Sequence, residues 1–132
     1  MPHFTVQIRE EELDGKTEPK LIRALADAVG AVYGERLRSV AVVDLFGVPR
    51  GRHGIGGVPT EENAPAITLS MREGALNLPE FENAPARLIA SITDAVVEVF
   101  GESVRKQVSV GIVGVPAGRS GVGGEVVSTT RS

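Results

Sequence analysis

The sequence predicts an α/β fold in which two tandem β-α-β repeats form one four-stranded mixed sheet with two helices on one face. Two observations indicate this architecture. Residues 21–57 are identical to residues 88–124 at 18 of 37 positions, and an internal match of this kind marks a duplicated structural unit. Each copy also shows a strand pattern, a helix pattern and a second strand pattern in that order. We assign residues 1–59 to repeat one, 60–63 to a linker and 64–132 to repeat two of a single domain.

The strands are marked by alternating apolar and polar residues. This alternation runs from Phe4 to Ile8 and recurs from Ile67 to Met71, and it is the period of a strand with one buried face. Apolar runs at 40–46 and 108–115 predict the returning strand of each repeat. Because a strand-helix-strand unit joins parallel strands, each repeat should supply one parallel pair.

The helices are marked by apolar residues at helical spacing. These residues lie between Leu21 and Val32 in repeat one and between Leu88 and Val99 in repeat two, and the spacing lines one face of a helix. Thr17 is the predicted N-cap of the first helix. The second helix should begin near Asn83, and the helices should end at Gly34 and Gly101, where glycine can adopt the left-handed conformation of a helix end.

Composition excludes several classes of function. A net charge of -3 with 4% aromatic residues argues against nucleic-acid binding, which needs a basic surface or stacking side chains. The absence of cysteine excludes thiolate chemistry and cysteine-ligated zinc, and two histidines are too few for a histidine-rich metal site. Apolar runs are shorter than the ~20 residues that span a bilayer, and the start of the sequence has no signal-peptide pattern. We therefore expect a cytoplasmic protein.

Two features bear on assembly and ligands. Helices on one face of the predicted sheet leave the opposite face uncovered, and a small protein usually buries such a face by oligomerisation. The glycines at 54–57 and 121–124 are not followed by a helix pattern, as a nucleotide-binding loop would require. They predict tight hairpins instead.

Taken together, three features resemble the tautomerase superfamily. They are proline directly after Met1, a duplicated β-α-β unit, and the hairpin sequence GRSGVGG at 118–124. The hairpin is similar to that of 4-oxalocrotonate tautomerase (4-OT). The duplication resembles the fused, double-length members, among them the cis-3-chloroacrylic acid dehalogenases. This resemblance implies a homotrimer that acts on a small keto or enol acid and uses neither a cofactor nor a metal.

The resemblance also implies that Met1 is removed and that Pro2 is the catalytic residue, a secondary amine at the chain end. Burial and nearby cations disfavour the ammonium form of an amine, so the pKa of this nitrogen should approach working pH. A neutral Pro2 could then take a proton from carbon next to a carbonyl group and return it elsewhere. Its counterpart in repeat two, Pro65, is an internal amide and cannot act as a base, so the chain should have one active proline.

Arginine is the expected carboxylate ligand, because a guanidinium keeps its charge and can form two parallel hydrogen bonds. The segment Arg72-Glu73-Gly74 resembles a dehalogenase segment whose two arginines hold the acid, although the second arginine position is Ala75 here. Arg9 is the counterpart of Arg72 in repeat one. If the two first strands are antiparallel at the sheet centre, Arg72 approaches Pro2 and Arg9 approaches Pro65.

Other candidates come from the same resemblance. His53 occupies the hairpin site of a pocket residue in 4-OT and could donate a hydrogen bond to an enolate, although an exposed histidine is an equally good interpretation. Ser109 aligns with a second-strand arginine of 4-OT, and Arg119 could reach the pocket of a neighbouring chain. His3 is assigned no role, and Asp44 is a secondary candidate for positioning a water. The predicted substrate-binding residues are thus Arg72, His53, Arg9, Ser109 and Arg119.

The leading functional hypothesis is a tautomerase or isomerase that moves a proton within a keto or enol acid. One alternative uses protonated Pro2 as a general acid in hydration, dehalogenation or decarboxylation. The loss of the paired arginines disfavours the haloacrylate specialists. The other alternative is a degenerate, non-catalytic trimer.

Overall fold

The computed structural model describes residues 1–127. Its helices are α1 (Thr17–Tyr33), α2 (Glu35–Arg38) and α3 (Ala84–Phe100), and 3-10 turns lie at Glu10–Glu12, Glu73–Asn77 and Glu102–Gln107. Its strands are β1 (His3–Arg9), β2 (Val42–Val48), β3 (Gly54–Ile55), β4 (Val58–Pro59), β5 (Ala66–Arg72), β6 (Ser109–Val115), β7 (Gly121–Val122) and β8 (Glu125–Val126). Residues 128–132 of the assigned second repeat lie outside the described part of the chain.

The main sheet has four strands in the order β2-β1-β5-β6. Within each repeat the strands are parallel, whereas β1 and β5 run antiparallel at the centre. This confirms the predicted mixed sheet. Thr5 pairs directly with Thr68, and these two residues occupy equivalent positions in the repeats. A pseudo-twofold axis therefore passes between them and relates the two halves of the sheet.

The pseudo-twofold axis gives the sheet two equivalent ends. At one end, which we call the Pro2 end, the start of β1 lies beside the end of β5, because His3 pairs with Ser70. At the other, the Pro65 end, Gln7 pairs with Ala66. The antiparallel arrangement expected from the sequence thus brings Arg72 towards the start of the chain.

The hydrophobic core lies between the sheet and helices α1 and α3. Alternate residues of the central strands point into it, and Phe4, Val6 and Leu69 are completely buried. The intervening residues form the opposite, helix-free face, which we call the open face. On it Phe46 is 53% exposed and Val113 is 50% exposed. The uncovered apolar surface predicted from the sequence is therefore present.

The observed element limits correct two predictions. Thr17 does not cap α1 through its side chain; instead Asp14 accepts hydrogen bonds from the backbone N–H groups of Lys16 and Thr17, both at 2.9 Å. Strand β2 begins at Val42 rather than at residue 40, because residues 40 and 41 donate backbone hydrogen bonds to the turn formed by α2.

Both long helices end as predicted at glycine. Gly34 and Gly101 have φ angles of 92° and 98°, which L side chains rarely adopt. Helix α3 begins after Asn83, which is left-handed with φ 55° and makes no side-chain cap. Within residues 1–127, no helix is long and apolar enough to cross a membrane.

Candidate functional site

A cleft of about 470 Å³ opens at the Pro2 end of the sheet. Antiparallel pairing of β1 and β5 forms its floor, and the end of β6 with the β7–β8 hairpin forms its sides. Three polar side chains line it together with Arg72 and the chain start: His3, Ser70 and Ser120. Most of the remaining lining is apolar. An apolar cleft with a few convergent polar groups is the usual form of a small-molecule site.

Pro2 lies next to this cleft and is buried by the core. Its carbonyl oxygen accepts a hydrogen bond from the backbone N–H of Val42 at 2.9 Å, which fixes the first residues of the chain against β2. The preceding residue, Met1, lines the cleft. Removal of Met1 would therefore leave the nitrogen of Pro2 at the cleft wall.

The electrostatic environment at the chain start disfavours a positive charge. The pKa of the Met1 α-amino group is lowered from its ordinary value, first by burial and then by the positive charge of Arg72. Both effects act against the ammonium form, since burial removes water from a charge and like charges repel. Arg72 is thus electrostatically coupled to the α-amino group of Met1.

His3 and Asp44 form a hydrogen bond at the same end of the sheet. The His3 Nε2 atom lies 2.8 Å from Asp44 Oδ2, and the two side chains are 50% and 52% exposed. Both residues are on the open face, on the neighbouring strands β1 and β2. Strand alternation alone predicts that His3 lies on the open face, but it does not predict which side chain lies beside it, so His3 has no role in the sequence analysis.

The equivalent cleft at the Pro65 end is much smaller, about 90 Å³. Arg9, which lines it, is held by its own chain. Its Nη2 group donates to Glu12 Oε2 at 2.8 Å, and its Nη1 group donates to the backbone carbonyl of Glu61 at 2.7 Å. The linker that precedes Pro65 therefore binds the side chain of Arg9 at this end of the sheet.

The structure divides the predicted site residues between the two ends of the sheet. Pro2 and Arg72 meet at the larger cleft. Arg9 and His53 line the smaller one, and Ser109 also lies at the Pro65 end, because its backbone N–H donates to the Pro65 carbonyl at 3.0 Å.

Arg119 is exposed and directly precedes Ser120, so it borders the larger cleft without lining it. Ser70 and Ser120 are lining residues that the sequence did not single out as ligands. The position of Ser120 was nevertheless recoverable, since it is the repeat-two counterpart of His53. Among residues 1–127, no cluster of three His, Asp or Glu side chains is arranged to hold a metal ion.

Solved structures share this architecture over nearly its whole length. The wild-type asymmetric trimer of a fused 4-OT superposes with a TM-score of 0.79 at 19% identity, covering 94% of each chain. Pt0534 inactivated by 2-oxo-3-pentynoate gives a TM-score of 0.79 at 20% identity, covering 98% of this chain and 99% of that one. A member of the cis-3-chloroacrylic acid dehalogenase family, N1, gives 0.76 at 16% identity, covering 96% and 83%.

No protein-family model and no curated protein matches the sequence. The structural matches establish the fold, which is that of the fused, double-length proteins of the tautomerase superfamily, and they confirm the resemblance stated from the sequence. Their named members include a fused 4-OT and a dehalogenase-family protein. The same fold therefore occurs in proteins named for different reactions.

Proposed function

We propose that the protein is a cofactor-independent tautomerase that acts on a small keto or enol carboxylic acid, with Pro2 as general acid and base after removal of Met1. The observation that carries this proposal is the coupling at the Pro2 end. Burial and the charge of Arg72 lower the pKa of the amine that begins the chain. After removal of Met1, burial and the charge of Arg72 would act in the same way on the amine of Pro2, and they would favour its neutral, basic form.

Arg72 and Pro2 have separate roles in the proposed reaction. Arg72 holds the substrate carboxylate by charge-assisted hydrogen bonds. The neutral Pro2 nitrogen takes a proton from one atom of the substrate and, as an ammonium, returns a proton to another. The substrate is isomerised, and the enzyme ends in its starting protonation state. Ser70 and Ser120 supply hydroxyl groups to the same cleft.

The experiment is to measure ketonisation of phenylenolpyruvate by the wild-type protein and by two matched proline variants. Pro2→Ala should remove most of the activity, whereas Pro65→Ala should retain it, because Pro65 is an internal amide. Equal activity in Pro2→Ala and the wild type would exclude Pro2 from the mechanism. Ketonisation that stops on addition of a chelator would also contradict the proposal.

Covalent labelling provides an independent test of the amine. Pt0534 is inactivated by 2-oxo-3-pentynoate, whose alkyne is conjugated to a carbonyl group and is open to attack by a neutral amine. Intact mass should first show a chain that lacks one methionine. Incubation should then add the mass of one inactivator, located on Pro2 by peptide mapping. A retained methionine, with no label and no ketonisation, would favour the non-catalytic alternative.

We further propose that three chains assemble through their open faces. The exposed side chains Phe46 and Val113 lie on this face, and the fused 4-OT structures include symmetric and asymmetric trimers. Sedimentation should show a trimer at micromolar concentration, and Phe46→Lys should weaken it by placing a charge in an apolar contact. A stable wild-type monomer would contradict this assembly. The cytoplasmic location stays a prediction.

A further inference from the structure

The small cavity at the Pro65 end is lined by two polar side chains that the protein leaves partly unpaired. Arg9 and His53 both line this cavity of about 90 Å³. Within residues 1–127, Arg9 Nε and His53 Nε2 are buried and have no hydrogen-bond partner. Native proteins pair the large majority of their buried polar groups, so each exception calls for an explanation. Two exceptions beside one cavity are explained together if the cavity binds a ligand.

Arg9 and His53 are held in place by contacts of the surrounding chain. Arg9 ends β1, and its Nη groups donate to Glu12 Oε2 at 2.8 Å and to the Glu61 carbonyl at 2.7 Å, whereas Nε donates to none of the described residues. His53 lies at the base of the β3–β4 hairpin, where its carbonyl accepts a hydrogen bond from the backbone N–H of Thr60 at 2.8 Å. A ligand would therefore meet groups that are already positioned, which lowers the entropic cost of binding.

The chemistry of these two groups favours a small anion. A guanidinium Nε–H can only donate, and the guanidinium keeps its positive charge. An imidazole Nε2 donates when it carries a proton. A ligand that pairs with both atoms therefore needs two acceptors, as a carboxylate has. The cavity of about 90 Å³ corresponds to about three water molecules at ~30 Å³ each, which is enough for formate or acetate but not for a ring.

Glu62 distinguishes an anion from other occupants of the cavity. This linker residue lines the cavity and is exposed, so its negative charge would repel a bound carboxylate. The repulsion is small because solvent screens the charge. Removal of the Glu62 charge should therefore tighten the binding of an anion, whereas it would weaken the binding of a cation and leave that of water unchanged.

We propose that the Pro65 end is a second, non-catalytic site that binds a small monocarboxylate, the size of formate or acetate, through Arg9 Nε and His53 Nε2. Pro65 is an internal amide, so a bound acid is not converted there. When occupied, the site links the end of β1 to the β3–β4 hairpin, because the two donors belong to these two segments. It does not depend on the reaction proposed at the Pro2 end.

Imidazole NMR reads both ends of the sheet in one sample. The chain has two histidines, of which His53 lines the small cavity and His3 lines the large cleft. Sodium formate should shift the ¹⁵N signals of His53 in a saturable way. Sodium benzoate at the same concentration and ionic strength should leave His53 unchanged, because its ring exceeds the cavity. Under the proposed function, benzoate should shift His3 instead.

Variants assign the formate effect to the small cavity. Arg9→Lys keeps a positive charge but lacks the guanidinium Nε–H, so the formate affinity read at His53 should fall about tenfold or more. Arg72→Lys, the same change at the equivalent position of repeat two, should leave this affinity unchanged. Glu62→Gln should raise it roughly two- to fivefold. In His53→Phe, the Arg9 Nε–H signal should report formate binding that is about five- to tenfold weaker.

The outcomes separate this site from the proposed function. A His53 shift that does not saturate, or that benzoate reproduces, would overturn the inference, as would equal losses in Arg9→Lys and Arg72→Lys or weaker binding in Glu62→Gln. If Arg9→Lys does not fold, unaltered formate affinity in His53→Phe would overturn it as well. Saturable formate binding at His53, in a protein whose His3 does not respond to benzoate, would support the second site and contradict the carboxylate site at the Pro2 end.

Discussion

The Pro2 and Pro65 ends of the sheet occupy equivalent positions in the two repeats, but they differ in the size of their clefts and in the residues around their arginines. The Pro2 end has a cleft of about 470 Å³ and the Pro65 end one of about 90 Å³. Arg9 is held by Glu12 and by the linker carbonyl of Glu61. The repeat-two counterpart of Glu12 is Ala75, so the second repeat has no carboxylate at this position.

This difference follows from the covalent chain. Only the first residue of a chain can have a free backbone amine. Under the proposed function, only one of the two equivalent prolines can therefore act as a base. The linker must also pass the Pro65 end, where its backbone meets Arg9. At that end Arg9 also forms an ion pair with Glu12. Under the proposed function, the asymmetry between the two ends thus originates in chain connectivity rather than in fold.

The largest expected effect separates the two arginines. Arg72→Ala should raise KM for a carboxylate substrate roughly 10- to 150-fold, which corresponds to about 1.5–3 kcal/mol for a lost charge-assisted hydrogen bond. Arg9→Ala should change KM little. Steady-state kinetics on both variants measures the contrast, with circular dichroism to confirm folding. Equal damage from the two variants would show that the assignment of the pocket to the Pro2 end is wrong.

A smaller effect should appear in the pH dependence. Because a lowered pKa keeps the amine neutral to lower pH, kcat/KM should rise with pH through the pKa of Pro2 and then level off. Arg72 is one of the two causes that lower the pKa of the Met1 amine, and under the proposed function it acts in the same way on the Pro2 amine. Arg72→Ala should therefore move the rising limb to higher pH. Arg9→Ala should leave the limb in place. Identical profiles for the wild type and Arg72→Ala would show that Arg72 does not act on the amine.

The smallest effect concerns the starts of the two long helices. Hydrogen bonds from the backbone N–H groups of Thr17 and then Lys16 lower the pKa of Asp14 to about 2 from 3.8. This carboxylate therefore stabilises the folded state above pH 3.8, and the stabilisation is lost as the pH falls through about 2. Asp14→Ala should lower the thermal midpoint at pH 7, and the difference should be mostly lost once the pH reaches about 2.

Asn83 provides the comparison in repeat two. Its left-handed conformation, with φ 55°, disfavours alanine for steric reasons, so Asn83→Ala should lower the thermal midpoint by a similar amount at pH 7 and at pH 3. A pH-dependent loss in Asn83→Ala, or a pH-independent loss in Asp14→Ala, would contradict these separate origins of helix-start stability.

Much of the fold was predictable because its signals are local. Alternation identified β1 and β5, and helical spacing identified α1 and α3, since each element has one face in the core. The limits at Gly34 and Gly101 followed from glycine's freedom at positive φ. The N-cap was not predictable in this way. Thr17 and Asp14 are both good cap residues, and the path of the loop decided which carboxyl or hydroxyl oxygen reached the backbone.

The sequence by itself determined the duplication and the order of elements, because these depend on neighbouring residues or on chain connectivity. Only the tertiary structure decided how the two ends differ. Contacts between His3 and Asp44, 41 residues apart, and between Arg9 and the Glu61 carbonyl, 52 residues apart, require a specific strand register and linker path. Shifting a strand by one residue would turn His3 or Asp44 to the core face. The register of the strands, which depends on contacts across the whole sheet, therefore determined which side chains lie at the Pro2 end of the open face.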